Sequence, residues 1–355
     1  MMKRDKRFLL IMREYVLGGA ETQFRYLIDY AEQHKWKMDV VIVHDSKKND
    51  DMLIETKANM KTVRFIELNG DRYGVLLHVI KNIFYVKYNS CLLYYPPDIV
   101  LAPFIHMLGI RAIYSERVDA AEIKKSIYYQ SCLKFCSHIL ANSQYAKEEL
   151  IKLTGKKVVL IRNGKPVVSQ FPIKEKREIY RILVPARIAP PKNQMLPLYY
   201  LKNRKDFEGK IVFAGIIEDK AYYGKLIQFV RKNGLQEKVE FLGHIKNMEE
   251  EYRKADLVLL PSFAEGTPNV VLEAYAYGRP VIVSDIEAER DIVPNFRQRF
   301  GVNKPEGIEA CIRYVQGMSG DVYRYMIEKN RNRVLQNYSI ERMAESFYRI
   351  MEGKQ

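Results

Sequence analysis

The sequence lacks most features of secreted, metal-binding or membrane-spanning proteins. Its 355 residues include four cysteines without metal-ligand spacing, for which we expect reduced, buried thiols. No apolar run approaches the roughly 18 residues of a membrane-spanning helix. The apolar run 8–12 is too short for a signal peptide, because Arg13 and Glu14 interrupt it. We therefore expect a soluble, cytoplasmic protein, either free or resting on the inner face of a membrane.

Signatures of nucleic-acid binding are also missing. The formal net charge of +15 favours anionic partners, which include nucleic acids, phospholipids and phosphorylated substrates. The basic residues are spread along the chain, without a helix-turn-helix, zinc-finger or aromatic RNA-binding pattern. We expect no nucleic-acid partner, and the charge leaves phospholipid and phosphorylated substrates open.

What the sequence does contain is an alternation of short β-rich runs with amphipathic helical stretches. This alternation predicts an α/β fold with parallel sheets and helices on both faces. The predicted strands are residues 7–12, 39–45, 62–68, 98–102, 112–116, 138–142 and 157–162, then 181–185, 210–214, 239–242, 257–261 and 280–284.

The length favours two domains, at about 100–200 residues per domain. Residues 163–176 contain turn residues and two prolines and have no period, so we place the linker there, with the bounds 166–177. It separates a first domain, 1–165, from a second, 178–338. The remaining residues, 339–355, contain a helix that is expected to pack back on the first domain.

Two loops that follow predicted strands have residues that packing does not require. The first contains Gly18 and Gly19 ahead of a predicted helix, 22–32. Adjacent glycines expose backbone N–H groups at a helix N-terminus, which suits an anion such as a diphosphate. A plain strand-to-helix turn is the alternative.

The second loop, 261–268, leads into a short helix. Thr267 suits the N-cap, Pro268 the first helical position, and Gly278 the end of the helix. Glu273 lies five residues beyond Pro268, roughly 7.5 Å along the axis, whereas Glu265 precedes the helix. The two carboxylates therefore suit opposite ends of an extended ligand. The alternative gives Glu265 a capping role and Glu273 a solvated face.

A nucleotide-diphosphate sugar is such a ligand, because it has hydroxyl groups on both sides of a diphosphate. Arg187, at a strand end, and Lys192, at the start of the next helix, would together hold the diphosphate and neutralise its charge as it leaves. No Asp-any-Asp triplet occurs, and the six histidines form no ligand set. We expect a metal-independent reaction without a cofactor.

These motifs together resemble glycosyltransferase family 4, the retaining enzymes of group 1 with the GT-B fold. The resemblance rests on 18–21 (Gly-Gly-Ala-Glu), Arg187 with Lys192, and Glu265 with Glu273 in Glu-Gly-Thr-Pro-Asn-Val-Val-Leu-Glu-Ala. Shorter supporting matches are 115–117, 141–143, 161–164, 242–244 and 255–256, so the resemblance spans nearly the whole chain. It implies two Rossmann-like, doubly wound domains that face each other across a cleft.

The resemblance also implies residue roles. Glu265, Arg187 and Lys192 would be catalytic, with Glu265 on the donor sugar, Glu273 on the ribose and His244 near the base. The implied donor-binding set is Gly18, Gly19, Arg187, Lys192, His244, Glu265, Gly266, Thr267, Pro268, Asn269, Val270 and Glu273, and the acceptor side is His106, Glu116 and Arg117. Two positions depart from the family: Ala186 precedes the arginine and Asn193 follows the lysine where glycines often stand. A core position is the alternative for His106.

The expected function is retaining transfer of a hexose or N-acetylhexosamine, from a UDP-sugar rather than a GDP-sugar. The acceptor would be a glycan or a polyprenyl-diphosphate-linked glycan in surface polysaccharide or glycoconjugate synthesis. A nucleotide-sugar epimerase or phosphorylase with the same fold, or a non-catalytic nucleotide-sugar-binding protein, is the alternative. Residues 73–95, predicted as a helical region, combine apolar and aromatic residues with Lys81 and Lys87, which suits either an anionic membrane surface or a core helix.

Overall fold

The computed structural model of the chain forms two compact units. One consists of Met1–Gly164 and Ser339–Gln355, and the other of Lys165–Tyr338. The structure describes residues 5–12, 19–44, 57, 60–69, 72–82, 86–117, 120–165, 175, 178–245, 247–265 and 269–354. Most of the predicted linker, 166–177, lies outside these ranges.

The first unit has a parallel sheet with the strand order β3-β2-β1-β4-β5-β6-β7. Its strands are β1 (Asp5–Met12), β2 (Met38–His44), β3 (Val63–Asn69), β4 (Val86–Leu93), β5 (Arg111–Glu116), β6 (Cys136–Ala141) and β7 (Val158–Leu160). Its helices are α1 (Gly19–Gln33), α2 (Arg72–Asn82), α3 (Ala102–Met107), α4 (Ala121–Lys125), α5 (Ile127–Cys132), α6 (Gln144–Thr154) and, from the end of the chain, α14 (Ile340–Glu352).

Strand β1 shows why an unbroken apolar run forms the centre of this sheet. Leu9 and Ile11 belong to the core on one face, and Phe8, Leu10 and Met12 to the core on the other. A central strand of a parallel sheet is covered by helices on both faces, so both sets of alternating side chains must be apolar.

The sequence prediction was wrong between residues 73 and 102. The predicted helical region 73–95 contains the helix α2 and then the central strand β4, and the predicted strand 98–102 lies in a 3-10 helix, Pro96–Leu101, and the start of α3. In β4, Val86 and Tyr88 are buried and Lys87 is exposed, which is the period of a strand. Pro96 and Pro97 fix φ and lack an N–H group, so they begin the 3-10 helix rather than a strand.

A single carboxylate fixes the start of β3. Glu32, near the end of α1, accepts backbone hydrogen bonds from Lys61, Thr62 and Val63 at 2.8, 2.9 and 2.9 Å, and a fourth from the Thr62 hydroxyl at 2.8 Å. Burial acts to raise the pKa of Glu32, but the hydrogen bonds outweigh it and lower the pKa to about 2. The charged form of Glu32 therefore stabilises the fold.

The helix α14 belongs to the first unit although it follows the second in the sequence. It packs against α1 and β4, with Phe347 and Met351 buried in the core. The Ser90 hydroxyl of β4 donates to the Met351 carbonyl at 3.0 Å, and the Arg111 guanidinium donates to the carbonyls of Ile350 and Met351. Apolar burial and hydrogen bonds from side chains to backbone carbonyls together hold this helix.

The second unit has a parallel sheet with the strand order β10-β9-β8-β11-β12-β13. Its strands are β8 (Arg181–Pro185), β9 (Lys210–Ala214), β10 (Val239–Gly243), β11 (Leu257–Leu260), β12 (Val281–Ser284) and β13 (Arg299–Phe300). Its helices are α7 (Met195–Asn203), α8 (Lys220–Lys232), α9 (Met248–Lys254), α10 (Asn269–Ala276), α11 (Glu287–Arg290), α12 (Pro305–Gln316) and α13 (Gly320–Asn337).

All five predicted strands of this unit are confirmed within one residue at each end, and β13 was not predicted. The order of strands reverses between β8 and β11, which are neighbours in the sheet. In open parallel sheets, ligands bind outside the carboxyl ends of the strands at such a switch point. A ligand site is therefore expected at the loops after β8 and β11.

The four cysteines are free and buried, as the sequence predicted. Burial raises the pKa of the Cys136 thiol to about 12, and the nearby Lys156 opposes this only in part. Such thiols are inert core residues.

Candidate functional site

Lys192 and Glu265 meet at the switch point of the second sheet. Lys192 lies in the loop after β8, and Glu265 in the loop after β11. The Lys192 Nζ is 2.6 Å from the Glu265 Oε1, and the two side chains are 16% and 13% exposed. The Ser262 hydroxyl donates to the same Glu265 oxygen at 2.6 Å. The arrangement places a cation and a carboxylate side by side at the carboxyl edge of the sheet.

The backbone of the two loops explains this meeting. Pro190 and Pro191 begin a 3-10 turn that ends at Lys192, and the Phe263 N–H donates to the Pro191 carbonyl at 2.9 Å. Asn193 then takes the left-handed conformation, with φ of 52°. Asparagine and glycine tolerate this conformation best, so Asn193 can replace the glycine that is frequent in the family. Its side chain also donates to the Val302 carbonyl at 2.9 Å.

Arg187 also lies after β8, but it contacts a different carboxylate. Its guanidinium forms an ion pair with Glu218, and both side chains are about half exposed. The backbone carbonyl of Arg187 accepts a hydrogen bond from the Gln194 side chain at 2.7 Å. The convergence of Arg187 and Lys192 on one diphosphate stays a prediction, since each cation is paired separately here.

Glu273, on α10, is held by two partners that the sequence analysis did not identify. Its Oε1 is 2.5 Å from the Nζ of Lys165, and its Oε2 accepts from the Tyr252 hydroxyl at 2.9 Å. The Lys165 side chain is 4% exposed. Burial, the charge of Glu273 and the hydrogen bond to it raise the pKa of Tyr252 well above its usual range. The Glu273 side chain is itself 33% exposed, so its carboxylate is held by a buried cation and a buried phenol while part of the side chain stays open to solvent.

The rest of the predicted donor-binding set is only partly described. Gly18, Gly266, Thr267 and Pro268 lie outside the described residues. Gly19 begins α1, and Asn269 and Val270 are the first residues of α10. His244 is exposed in the loop after β10. Gly278 ends α10 with φ of 64°, which confirms its predicted place.

The predicted acceptor residues belong to the first unit. Glu116 ends β5 and is buried, and its carboxylate accepts from the Tyr114 hydroxyl at 2.8 Å and from the Arg117 N–H at 3.0 Å. His106 is exposed on α3, with its ring edge towards Phe135, so the alternative of a core position is wrong.

Arg117 is packed inside the first unit. Its guanidinium lies 5.6 Å from the Phe24 ring centre and 5.7 Å from that of Phe347, and it donates to the Asn163 side chain at 2.5 Å. Burial lowers the pKa of Arg117 to about 10, which the charge of Glu116 opposes. These contacts indicate a structural role, and a role on the acceptor side stays a prediction.

The described residues offer no further candidate for this site. In the ranges that the structure describes, no group of three or more His, Cys, Asp or Glu side chains could hold a metal ion. A cavity of about 530 Å³ in the first unit is lined by ten residues, among them Tyr30, Trp36 and Tyr348, and by none of the predicted site residues.

The second unit is similar to a known family. The profile of the family described as "Glycosyl transferases group 1" matches residues 181–316. The chain is 25% identical over 210 residues to the UDP-Gal:alpha-D-GlcNAc-diphosphoundecaprenol alpha-1,3-galactosyltransferase of Escherichia coli, which covers 53% of this chain and 52% of that protein. It is 26% identical over 233 residues to the O-antigen chain mannosyltransferase RfbU of Salmonella typhimurium, with 62% of each chain covered. The chain thus spans about half to three fifths of these curated relatives.

The fold is also found among solved structures. The crystal structure of Anabaena HepE in complex with UDP and glucose matches with a TM-score of 0.80, at 15% identity, over 99% of this chain and 100% of the other. This match confirms the predicted GT-B fold class, with one Rossmann-like parallel sheet in each unit. Through residues 181–316 of its second unit, the chain is similar to the glycosyl transferases group 1 family.

Proposed function

We propose that this chain is a glycosyltransferase that moves a hexose or N-acetylhexosamine from a nucleotide-diphosphate sugar to a glycan or polyprenyl-diphosphate-linked acceptor. The observation that carries this proposal is the Lys192–Glu265 pair at the switch point, within the segment that matches the glycosyl transferases group 1 profile. The matched relatives include enzymes of O-antigen and capsular polysaccharide synthesis. Synthesis of a surface polysaccharide is therefore the proposed setting.

In the proposed donor complex, Lys192 and Arg187 hold the diphosphate. Lys192 is the better placed, because its ammonium group is largely buried and a buried charge acts through a lower dielectric. Glu265 accepts hydrogen bonds from hydroxyl groups of the transferred sugar, and Glu273 accepts from the ribose. The contacts of Glu273 with Lys165 and Tyr252 fix its carboxylate before the ligand arrives, which lowers the entropy lost on binding.

The proposed reaction retains the anomeric configuration and does not need a metal. The bond between the anomeric carbon and the diphosphate oxygen breaks, and the diphosphate leaves with the electron pair. The acceptor hydroxyl oxygen forms the new bond on the same face of the sugar, and the hydroxyl proton passes to the leaving diphosphate. The positive groups of Lys192 and Arg187 stabilise the negative charge that develops on the leaving diphosphate. Such electrostatic stabilisation of the transition state is usually the largest contribution to the rate enhancement.

A UDP-sugar is the proposed donor. A UDP-sugar is named in the Escherichia coli relative, and UDP occupies the Anabaena structure. We test the donor with a thermal-shift panel of UDP, GDP and ADP, followed by release of nucleoside diphosphate from the matching sugar donor with and without acceptor. We expect stabilisation by UDP and slow donor hydrolysis, and Glu265→Gln should abolish hydrolysis. Binding without turnover would instead support the non-catalytic binding protein, and no nucleotide binding would contradict the proposal.

We also propose that the enzyme works on the inner face of a membrane as a peripheral protein. No helix of the described ranges is long and apolar enough to cross a membrane. On α2, Leu77 and Ile80 are 55% and 42% exposed, with Lys81 exposed beside them, whereas Val75 and Val79 are buried. Such a face suits an anionic lipid surface. Flotation with phosphatidylglycerol vesicles at low salt should carry the protein upward, and Leu77→Gln should reduce this; no flotation of the wild type would contradict the attachment.

A further inference from the structure

A third carboxyl group lies near enough to the Lys192–Glu265 pair to interact with both charges, and it has no assigned role. Glu289 is on α11, which follows β12, the neighbour of β11 in the sheet. Glu289 is 1% exposed. Neither of its carboxyl oxygens, Oε1 or Oε2, has a hydrogen-bond partner among the described residues. Its backbone, by contrast, is fully engaged, with the N–H donating to Ile286 and the carbonyl accepting from Val293.

An unpartnered buried carboxyl group is unfavourable for the folded state. Leaving a buried polar group without a partner destabilises the folded state, and native proteins rarely retain such groups without a reason. Two other buried side chains at the same edge of the sheet also leave an oxygen without a partner in the described chain. These are the Ser284 Oγ, at the end of β12, and the Gln194 Oε1, just after Lys192. These three side chains therefore lie where the loops of the candidate site arise, and further buried atoms without a partner lie elsewhere in the described chain.

The surroundings of Glu289 favour its neutral form. Burial raises the pKa of Glu289 well above its usual range, the negative charge of Glu265 raises it further, and Lys192 opposes both. A protonated carboxyl group donates one hydrogen bond and accepts others, whereas a carboxylate only accepts. A sugar hydroxyl also donates and accepts, so Glu289 beside Glu265 offers the partner that a carboxylate alone does not provide.

We propose that Glu289 contacts a hydroxyl group of the transferred sugar beside the Lys192–Glu265 pair and takes part in selecting the donor sugar. This inference rests on the proposed function. It assigns the recognition of one sugar hydroxyl to Glu289, and it explains why an apolar residue does not occupy this buried position.

The test uses two replacements of Glu289 and one control on the same helix. Glu289→Gln keeps a neutral group that donates and accepts, whereas Glu289→Leu removes all hydrogen bonding at a similar volume. Glu287→Leu is the control, because Glu287 is exposed on α11 two residues away. The dissociation constants of UDP-glucose, UDP-galactose and GDP-mannose are measured by calorimetry and compared with those of UDP and GDP. The Tm of each variant is measured as well.

We expect Glu289→Leu to raise the dissociation constant of the bound nucleotide sugar about tenfold and to leave that of the free nucleoside diphosphate within about threefold. Its Tm should stay level or rise by roughly 2–4 °C, because an unsatisfied buried group is removed. Glu289→Gln and Glu287→Leu should bind the nucleotide sugar within about threefold of the wild type. A deoxy-sugar donor that lacks the contacted hydroxyl should bind the wild type and Glu289→Leu equally.

The outcomes separate the two proposals. If the wild type binds no nucleotide sugar, the proposed function fails, and this inference fails with it. If the wild type binds but Glu289→Leu keeps the sugar affinity, or loses sugar and free nucleotide affinity equally, only the role of Glu289 is refuted. A lower Tm with unchanged discrimination among donors would show that Glu289 is a structural residue, and would also refute the inference.

Discussion

Replacing Lys192 by methionine tests the charged centre of the candidate site. Methionine keeps the apolar stem and removes the ammonium group, which lies 2.6 Å from the Glu265 Oε1. A hydrogen bond to a charged group contributes about 1.5–3 kcal/mol, which corresponds to a factor of roughly 10–150 in an equilibrium or rate constant. Because both side chains are less than a fifth exposed, solvent screening reduces this value little.

The assay is the kcat/KM of nucleoside diphosphate release from the donor, measured with urea unfolding of the same preparations. We expect Lys192→Met to lower kcat/KM by at least tenfold, because the charge on the leaving diphosphate loses its partner. Lys152→Met is the matched control. Its ammonium group lies 2.9 Å from Glu149 but is 70% exposed, so its loss should change stability by less than about 0.5 kcal/mol and leave the rate unchanged.

A double replacement separates the pair from its members. If Lys192 and Glu265 act as one unit, the double variant Lys192→Met with Glu265→Gln should lose less activation free energy, calculated from kcat/KM, than the two single variants lose in sum. Equal kcat/KM values for Lys192→Met, Lys152→Met and the wild type would refute the assignment of Lys192 to the site.

Three further predictions concern groups that the structure places in the fold. Glu32→Gln should lower the free energy of unfolding by about 1–2 kcal/mol at pH 7. The lowered pKa of Glu32 stabilises the folded state above pH 4.5, and this is lost as the pH falls towards about 2, so the difference from the wild type should vanish over that range in urea titrations. Lys165→Met should destabilise by about 1–3 kcal/mol in urea unfolding, because it leaves the carboxylate of Glu273 with one partner, and an unchanged midpoint would contradict this. Arg117→Ala should lower the Tm by several degrees in a thermal melt, because its side chain packs inside the first unit. An unchanged Tm together with a loss of sugar-transfer activity would instead favour a role on the acceptor side.

The sequence predicted the parts of the fold that depend on local pattern. The strands β8 and β9 were predicted to the residue, because their apolar runs are bounded by charged or turn residues. The strand β4 was missed, because the apolar residues of α2 and β4 follow one another closely and together resemble one long helix. The signal that separates them is the alternation of Val86, Lys87 and Tyr88.

The partners of the site residues were harder to predict than the residues themselves. Glu265 and Glu273 were identified from their motif, but Lys165 lies 108 positions from Glu273 in the sequence. Such a pair forms only once the tertiary structure brings distant segments together. Glu289 was missed for a different reason: within Glu287–Arg290 it reads as a charged residue of a short surface helix, and only the structure shows that it is buried.

The position of α14 has a consequence for how the protein forms during translation. The core of the first unit needs Phe347 and Met351, yet the whole of the second unit, Lys165–Tyr338, is synthesised before them. At about 5–20 residues per second, the ribosome needs roughly 10–35 s for that stretch. The earlier-made unit is thus completed last, and until then its unfinished apolar face is exposed to chaperones and proteases.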